Sequence, residues 1–111
     1  MTDLEYMSEA EALLRAVELG CDAINEETDA DIDNHRVGGM ITLTFADRSQ
    51  VVVNLQKPLQ EVWLASREGG YHYKREGQVW RDTKTGRDFF DDFSAALSLH
   101  AGQTLRVLPT P

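Results

Sequence analysis

Asn54 to Tyr73 reads NLQKPLQEVWLASREGGYHY, and the alternation around Trp63 decides the architecture. Alternate residues of a strand share a face, so Val62 and Leu64 point one way while Glu61, Trp63 and Ala65 point the other. The first side is aliphatic core. The second carries a large aromatic between an acid and a small residue, the composition of a sheet face used for binding, unless a loop folds over Trp63 as a second core layer.

The period of two continues on both sides of this stretch. Ile41, Leu43 and Phe45 alternate with Thr42 and Thr44, and Val51, Val53 and Leu55 follow a turn at Asp47 to Ser49. Gly38, Gly39, Gly69 and Gly70 mark turns, and Pro58 closes a loop before the Trp63 strand. Strands at Tyr71 to Arg75 and Gln78 to Asp82, joined at Glu76 and Gly77, complete a meander of about six strands.

Helices bracket this meander. Leu4, Met7, Ala10, Leu14, Val17, Cys21 and Ile24 step by three and four, which predicts an amphipathic helix over residues 3 to 25. Asp88 is a good N-cap with Asp91 three residues on. Phe89, Phe93, Ala96, Leu97 and His100 then make a second apolar stripe that ends at Gly102. The tail Thr104 to Leu108 either adds a short strand or packs over the helices, and Pro109 and Pro111 stop it. Helix, sheet, helix predicts an α+β two-layer sandwich, both helices on one face of a roughly six-stranded antiparallel sheet, in a single domain spanning 1–111. Thr42, Thr44, Trp63 and their neighbours then lie on an open face, and His72, alternating with Tyr71 and Tyr73, is expected beside Trp63.

The formal net charge of −8 argues against a nucleic-acid backbone or an anionic membrane surface as partner and favours cations and basic proteins. The first 33 residues hold eleven acids, Asp3, Glu5, Glu9, Glu11, Glu18, Asp22, Glu26, Glu27, Asp29, Asp31 and Asp33, against one base, Arg15. On the helix, Glu11, Glu18 and Asp22 form a row beside the buried stripe, with Arg15 interrupting it. The spacing of Asp29, Asp31 and Asp33 is that of a calcium loop, but Asn34 and Met40 stand where its glycine and glutamate are required. An extended segment instead projects the three carboxylates on one side about 7 Å apart, too far to chelate one ion tightly. Such a comb is either a solvated surface or a weak site for several hard cations: ferrous iron, manganese, magnesium or calcium. Two like charges at about 7 Å repel by roughly 0.6 kcal/mol in water and about 2 kcal/mol at an effective dielectric constant of 20. A bound cation or basic partner relieves that repulsion.

No catalytic motif is present: the chain lacks a nucleophile elbow, a phosphate-binding glycine loop, a C-x-x-C pair and an H-E-x-x-H helix. His35, His72 and His100 are widely separated, and Cys21 sits on the apolar stripe as a small hydrophobe, with no second cysteine for an internal disulfide. With no apolar run long enough to span a bilayer and an acidic N-terminal stretch unlike a signal or transit peptide, the expectation is a cytoplasmic protein that is not an enzyme.

The acidic first helix, the acidic lead-in to the first strand, and NLQKPLQEVWLASREGGYHY followed by Trp80 resemble the frataxin family in its bacterial form, across nearly the whole chain. The resemblance implies a helix, a six-stranded antiparallel sheet and a closing helix. It also implies a small iron-binding protein that binds the cysteine desulfurase and modulates sulfur transfer to the iron-sulfur scaffold. The iron and desulfurase contacts it implies are the acidic ridge of Glu18, Asp22, Glu26, Glu27, Asp29, Asp31 and Asp33; the sheet-face contacts are Asn54, Gln56 and Trp63. Cys21, Ala23, Arg15 and His35 leave this ridge less acidic than a full one. The implied protein is a monomer with iron-dependent oligomers. A ferroxidase, an iron storage or delivery protein, and a metal-independent interaction module remain as other readings.

Overall fold

A computed structural model describes residues 1–110. Six strands follow one another in chain order as an antiparallel meander: β1 (Asp33–Val37), β2 (Met40–Thr44), β3 (Gln50–Gln56), β4 (Glu61–Ser66), β5 (Gly69–Glu76) and β6 (Val79–Asp82). Two helices, α1 (Asp3–Glu27) and α2 (Phe89–Ala101), pack on one face. The expected α+β sandwich is the observed one.

Register makes the sheet two-faced. Ile41 pairs with Val53, Val53 with Leu64 and Leu64 with Tyr71, so the β-branched and leucine positions stack on the helix side, where Ile41, Leu43, Val51, Val53, Val62 and Leu64 are buried. Each such side chain contributes about 1.5–3 kcal/mol of burial. The opposite row runs Val37, Met40, Asn54, Trp63, His72 and stays on the open face, with Val37 and Met40 exposed.

α1 starts at a capping box: Glu5 N–H donates to Thr2 Oγ1 and Thr2 N–H to Glu5 Oε1. It runs to Glu27, two residues beyond the expected end, because Thr28 caps it by donating both its N–H and its hydroxyl to the Ile24 carbonyl. Its seam is displaced from the expected stripe. Tyr6 and Leu13 are buried while Leu4 is 85% exposed, since Tyr6 reaches under the sheet to donate its hydroxyl to the Glu61 carbonyl at 2.7 Å and meets Trp80 edge-on. Cys21 lies inside this seam, its thiol pushed up to about 12 by burial and by the neighbouring Asp22 and Glu18 charges.

α2 begins at Asp88, whose carboxylate accepts from Phe90 N–H, and ends at Gly102 in the left-handed conformation. Asp91 takes no part in the cap and pairs with Arg106 instead. The tail packs over the helices without forming a strand: Ser94 and Ser98 accept from the backbone N–H groups of Val107 and Leu105. Val107 closes over Gly20, where a Cβ would lie 2.5 Å from a valine methyl. β5 is longer at both ends than the sequence indicates and β6 starts one residue later, at Val79; Pro111 lies outside the described residues.

His100 joins three parts of the chain. Arg67 N–H donates to Nε2 at 3.2 Å, which places the ring proton on Nδ1, 2.7 Å from Ser49 Oγ. Ser49 in turn donates to Asp47, and Asp47 pairs with Arg67. The neutral ring satisfies every partner, and a proton on Nε2 would face the Arg67 N–H. Burial, then the Arg67 charge, hold the imidazole below its ordinary value of 6.5, against the weaker opposing charges of Asp47 and Glu68. Its folded value being depressed, the contribution is complete above about pH 6.5 and is lost as pH falls through the folded value. Urea denaturation of wild type and His100→Asn from about pH 7.5 to 5 is expected to show a steeper loss of stability in wild type; parallel curves would contradict it.

Candidate functional site

The carboxylates singled out in the sequence do not form one continuous comb. Arg36, on β1 opposite Ile41 and so on the helix side of the sheet, reaches Glu11 at 2.5 Å and Glu18 at 3.2 Å. Arg75 on β5 takes Glu9 in the same way at 2.5 Å. Among the described residues Asp22, Glu26, Glu27, Asp29, Asp31 and Asp33 form no ion pair, and neither does Arg15, the base expected to interrupt the row. The unneutralised charge therefore gathers at the C-terminal end of α1 and in the segment leading to β1.

That end is electrostatically costly. The last turn of α1 carries Glu26 and Glu27 with no basic residue, and acids beside the negative pole of a helix each cost about 0.3–1 kcal/mol. The segment does not run extended: Asp31 has φ +53°, so Asp29 and Asp33 lie on either side of a left-handed residue instead of projecting in step. Asp33 opens β1 opposite Thr44, on the open-face side, while Asn34 turns to the helix side and donates to Asp22 at 3.4 Å. Asp29 accepts from Gln103 of the tail at 3.2 Å. The ridge thus bends from the helix onto the edge of the open sheet face.

Buried Ala30 and Ile32 anchor this bend, and Asn25 clamps it. Asn25 Nδ2 donates to the Ile32 carbonyl at 2.7 Å and Ile32 N–H donates back to Oδ1 at 2.8 Å, a paired bond that replaces a strand neighbour. Ala30 N–H donates to Thr28 Oγ1. The clamp holds Asp29 and Asp31 outward, where both are exposed.

Asn54, Gln56 and Trp63 share the open face. Asn54 stands opposite Trp63 and Gln56 opposite Glu61. Trp63 is half-buried, covered by a side chain and not by a loop: His72 stacks on it with ring centroids 4.1 Å apart and planes 7° from parallel. Trp63 Nε1–H donates to Glu61 Oε1 at 2.8 Å. Glu61, only 8% exposed, also lies 3.8 Å from His72 Nδ1 and 3.9 Å from Lys74 Nζ. Glu61 fixes the indole in one orientation, with a shallow groove beside it lined by Val52, Asn54, Ala65 and Gly70.

Sequence reasoning placed Trp63 and His72 on one surface but missed Arg36, Asn25, Gln103 and the role of Glu61. The i, i+7 spacing of Glu11 and Glu18 with a lone arginine on the next strand was the available signal for Arg36. Among the described residues no three His, Cys, Asp or Glu side chains converge to hold a metal ion. The exposed oxygens suit weak association with hard cations and not a single tight chelate.

A two-layer α+β sandwich with a carboxylate ridge bending onto an aromatic-bearing open sheet is the class this geometry defines. The family model described as frataxin-like domain matches residues 1–103, and the chain belongs to the frataxin family. It is 65% identical over 105 residues to the iron-sulfur cluster assembly protein CyaY of Variovorax paradoxus, covering 95% of this chain and 96% of that one. Among solved structures, frataxin from Psychromonas ingrahamii matches with a TM-score of 0.83 at 34% identity, over 96% of this chain and 97% of that one. Trimeric frataxin of Saccharomyces cerevisiae complexed with ferrous iron matches at TM-score 0.74 and 22% identity, over 86% and 87% of the two chains, a likeness of fold.

Removing the clamp tests how the ridge is held. Asn25→Ala deletes both bonds to Ile32 and is expected to cost about 1–2 kcal/mol in urea denaturation, with faster amide exchange at Ile32. A change within a few tenths of a kcal/mol would mean that Ala30 and Ile32 alone set the bend.

Proposed function

We propose that this chain is a non-catalytic, cytoplasmic iron-sulfur cluster assembly factor acting by electrostatic docking. Its acidic ridge would seat on a basic groove of the cysteine desulfurase and so modulate sulfur transfer to the scaffold. Asp22, Glu26, Glu27, Asp29, Asp31 and Asp33 supply the charge; Glu18, engaged by Arg36, does not. Asn54, Gln56 and Trp63 on the adjoining sheet face add the oriented contact. Iron, ferrous or ferric, is cargo held weakly at the same carboxylates, with other divalent cations competing for them. The working form is a single domain, residues 1–111, and a monomer, with oligomers arising only under iron load.

The observation that carries this reading is the gathering of uncompensated carboxylates at one end of α1, with no base in its last turn and an orienting aromatic on the neighbouring face. Charge complementarity of this kind governs encounter rate and partner choice more than it governs raw affinity. A half-buried tryptophan already held by Glu61 loses little freedom on binding. The names of the curated relatives support the pathway. Carboxylates spread along a bend instead of converging favour docking and weak cargo over turnover, which would need a defined metal centre.

Substituting Asp22, Asp29 and Asp31 together by Asn tests the site. Three surface charges at about 0.5 kcal/mol each predict roughly a tenfold loss of desulfurase affinity, with ferrous uptake falling in parallel. Trp63→Ala should weaken docking to the desulfurase without changing its salt dependence or the iron uptake. If the triple variant binds both iron and the desulfurase as wild type does, the ridge is not the site.

A further inference from the structure

Glu11 and Glu18 lie seven residues apart, two helical turns, so they stand in line on one face of α1 about 10 Å apart at the backbone. Their side chains converge on a single guanidinium from another element. Arg36 Nη2 meets Glu11 Oε2 and Nη1 meets Glu18 Oε1, while Nε donates to the Gly38 carbonyl at 2.9 Å. Three acceptors thus fix the planar group in one orientation, which a flexible ammonium could not reproduce. The hydrogen bond to Glu11 leads the effects that raise the Arg36 pKa further above its ordinary value.

The stability such a pair supplies is small at a solvated surface; its effect on what else can bind is larger. A tethered cation acts at an effective concentration of roughly millimolar or more. A hydrated divalent ion entering the same gap must displace a group that is already held at three points. No comparable occupant stands at the other end of the ridge, where among the described residues Asp22 and Asp29 meet only the neutral amides Asn34 and Gln103. We infer that Arg36 is a built-in counter-cation filling the Glu11–Glu18 position, so that divalent cations and a basic partner are confined to the Asp22–Asp33 end. Arg36 is then a specificity-determining residue for the ridge, and the inference rests on the reading of that ridge as a cation and partner surface.

Mn²⁺ uptake, read from the loss of the free-ion electron paramagnetic resonance signal, tests it on four full-length chains: wild type, Arg36→Gln, Glu11→Gln/Glu18→Gln, and the triple combination. Two freed carboxylates make about one weak oxygen site, so Arg36→Gln should take up about one ion more than wild type. The gain should vanish in the triple variant, and Glu11→Gln/Glu18→Gln should match wild type. Equal uptake by wild type and Arg36→Gln overturns the inference, as does a loss of uptake in Glu11→Gln/Glu18→Gln. The latter comparison keeps Arg36 and stands even if Arg36→Gln fails to fold. Failure of the ridge reading itself shows elsewhere, as wild-type uptake by the Asp22, Asp29 and Asp31 to Asn variant.

Discussion

A helix rich in carboxylates can enter a fold only along the stripe that lacks them, and this constraint organises the molecule. Tyr6, Ala10, Leu14, Val17, Cys21 and Ile24 are buried against the sheet, so the charge of α1 is driven onto its remaining faces. Like charges so crowded repel, and the fold answers in two ways. At the N-terminal two thirds, arginines from β1 and β5 cross to Glu9, Glu11 and Glu18. At the C-terminal end the last turn holds no base and, among the described residues, none pairs with its acids from elsewhere, and a clamp through Asn25 holds the repelling groups in place. The second region is where an external cation or basic surface would lower the energy most.

The sheet contributes the other half of the proposed site through its asymmetry. With both helices on one face, the remaining face keeps polar and aromatic side chains beside exposed Val37 and Met40, and antiparallel register sets them in rows. The row through Asn54, Trp63 and His72 begins on β1, the strand that Asp33 opens, so ridge and open face meet along one edge. Glu61 is where the layers connect: its carbonyl accepts from Tyr6 of α1 on the core side, while its carboxylate orients Trp63 on the other. The position of the first helix and the aim of the indole are therefore coupled through one residue.

The alternation in β2 to β4, the three-four spacing in α1 and the Asp88 to Gly102 frame of α2 were legible because each reflects local geometry. Boundaries slipped where a side chain overrode periodicity: Thr28 extended α1, and Tyr6, which long-range bonding to Glu61 draws inward, displaced Leu4 from the seam. The ridge was legible as composition but not as arrangement. A left-handed Asp31 breaks the extended comb, and Arg36 neutralises acids that lie 18 and 25 residues away in the chain. Neither follows from spacing, since one depends on a clamp around the bend and the other on which face of β1 the register presents to α1.

Binding of the wild-type protein to the cysteine desulfurase, followed by interferometry across a salt series with and without ferrous iron under anaerobic conditions, decides whether the unpaired carboxylates are a docking surface. Docking through the ridge should weaken steadily as salt screens the unpaired carboxylates, with an affinity that shifts when iron occupies them. Absence of binding at low salt, or binding indifferent to salt, would contradict it and leave the carboxylates as an iron surface with no docking role.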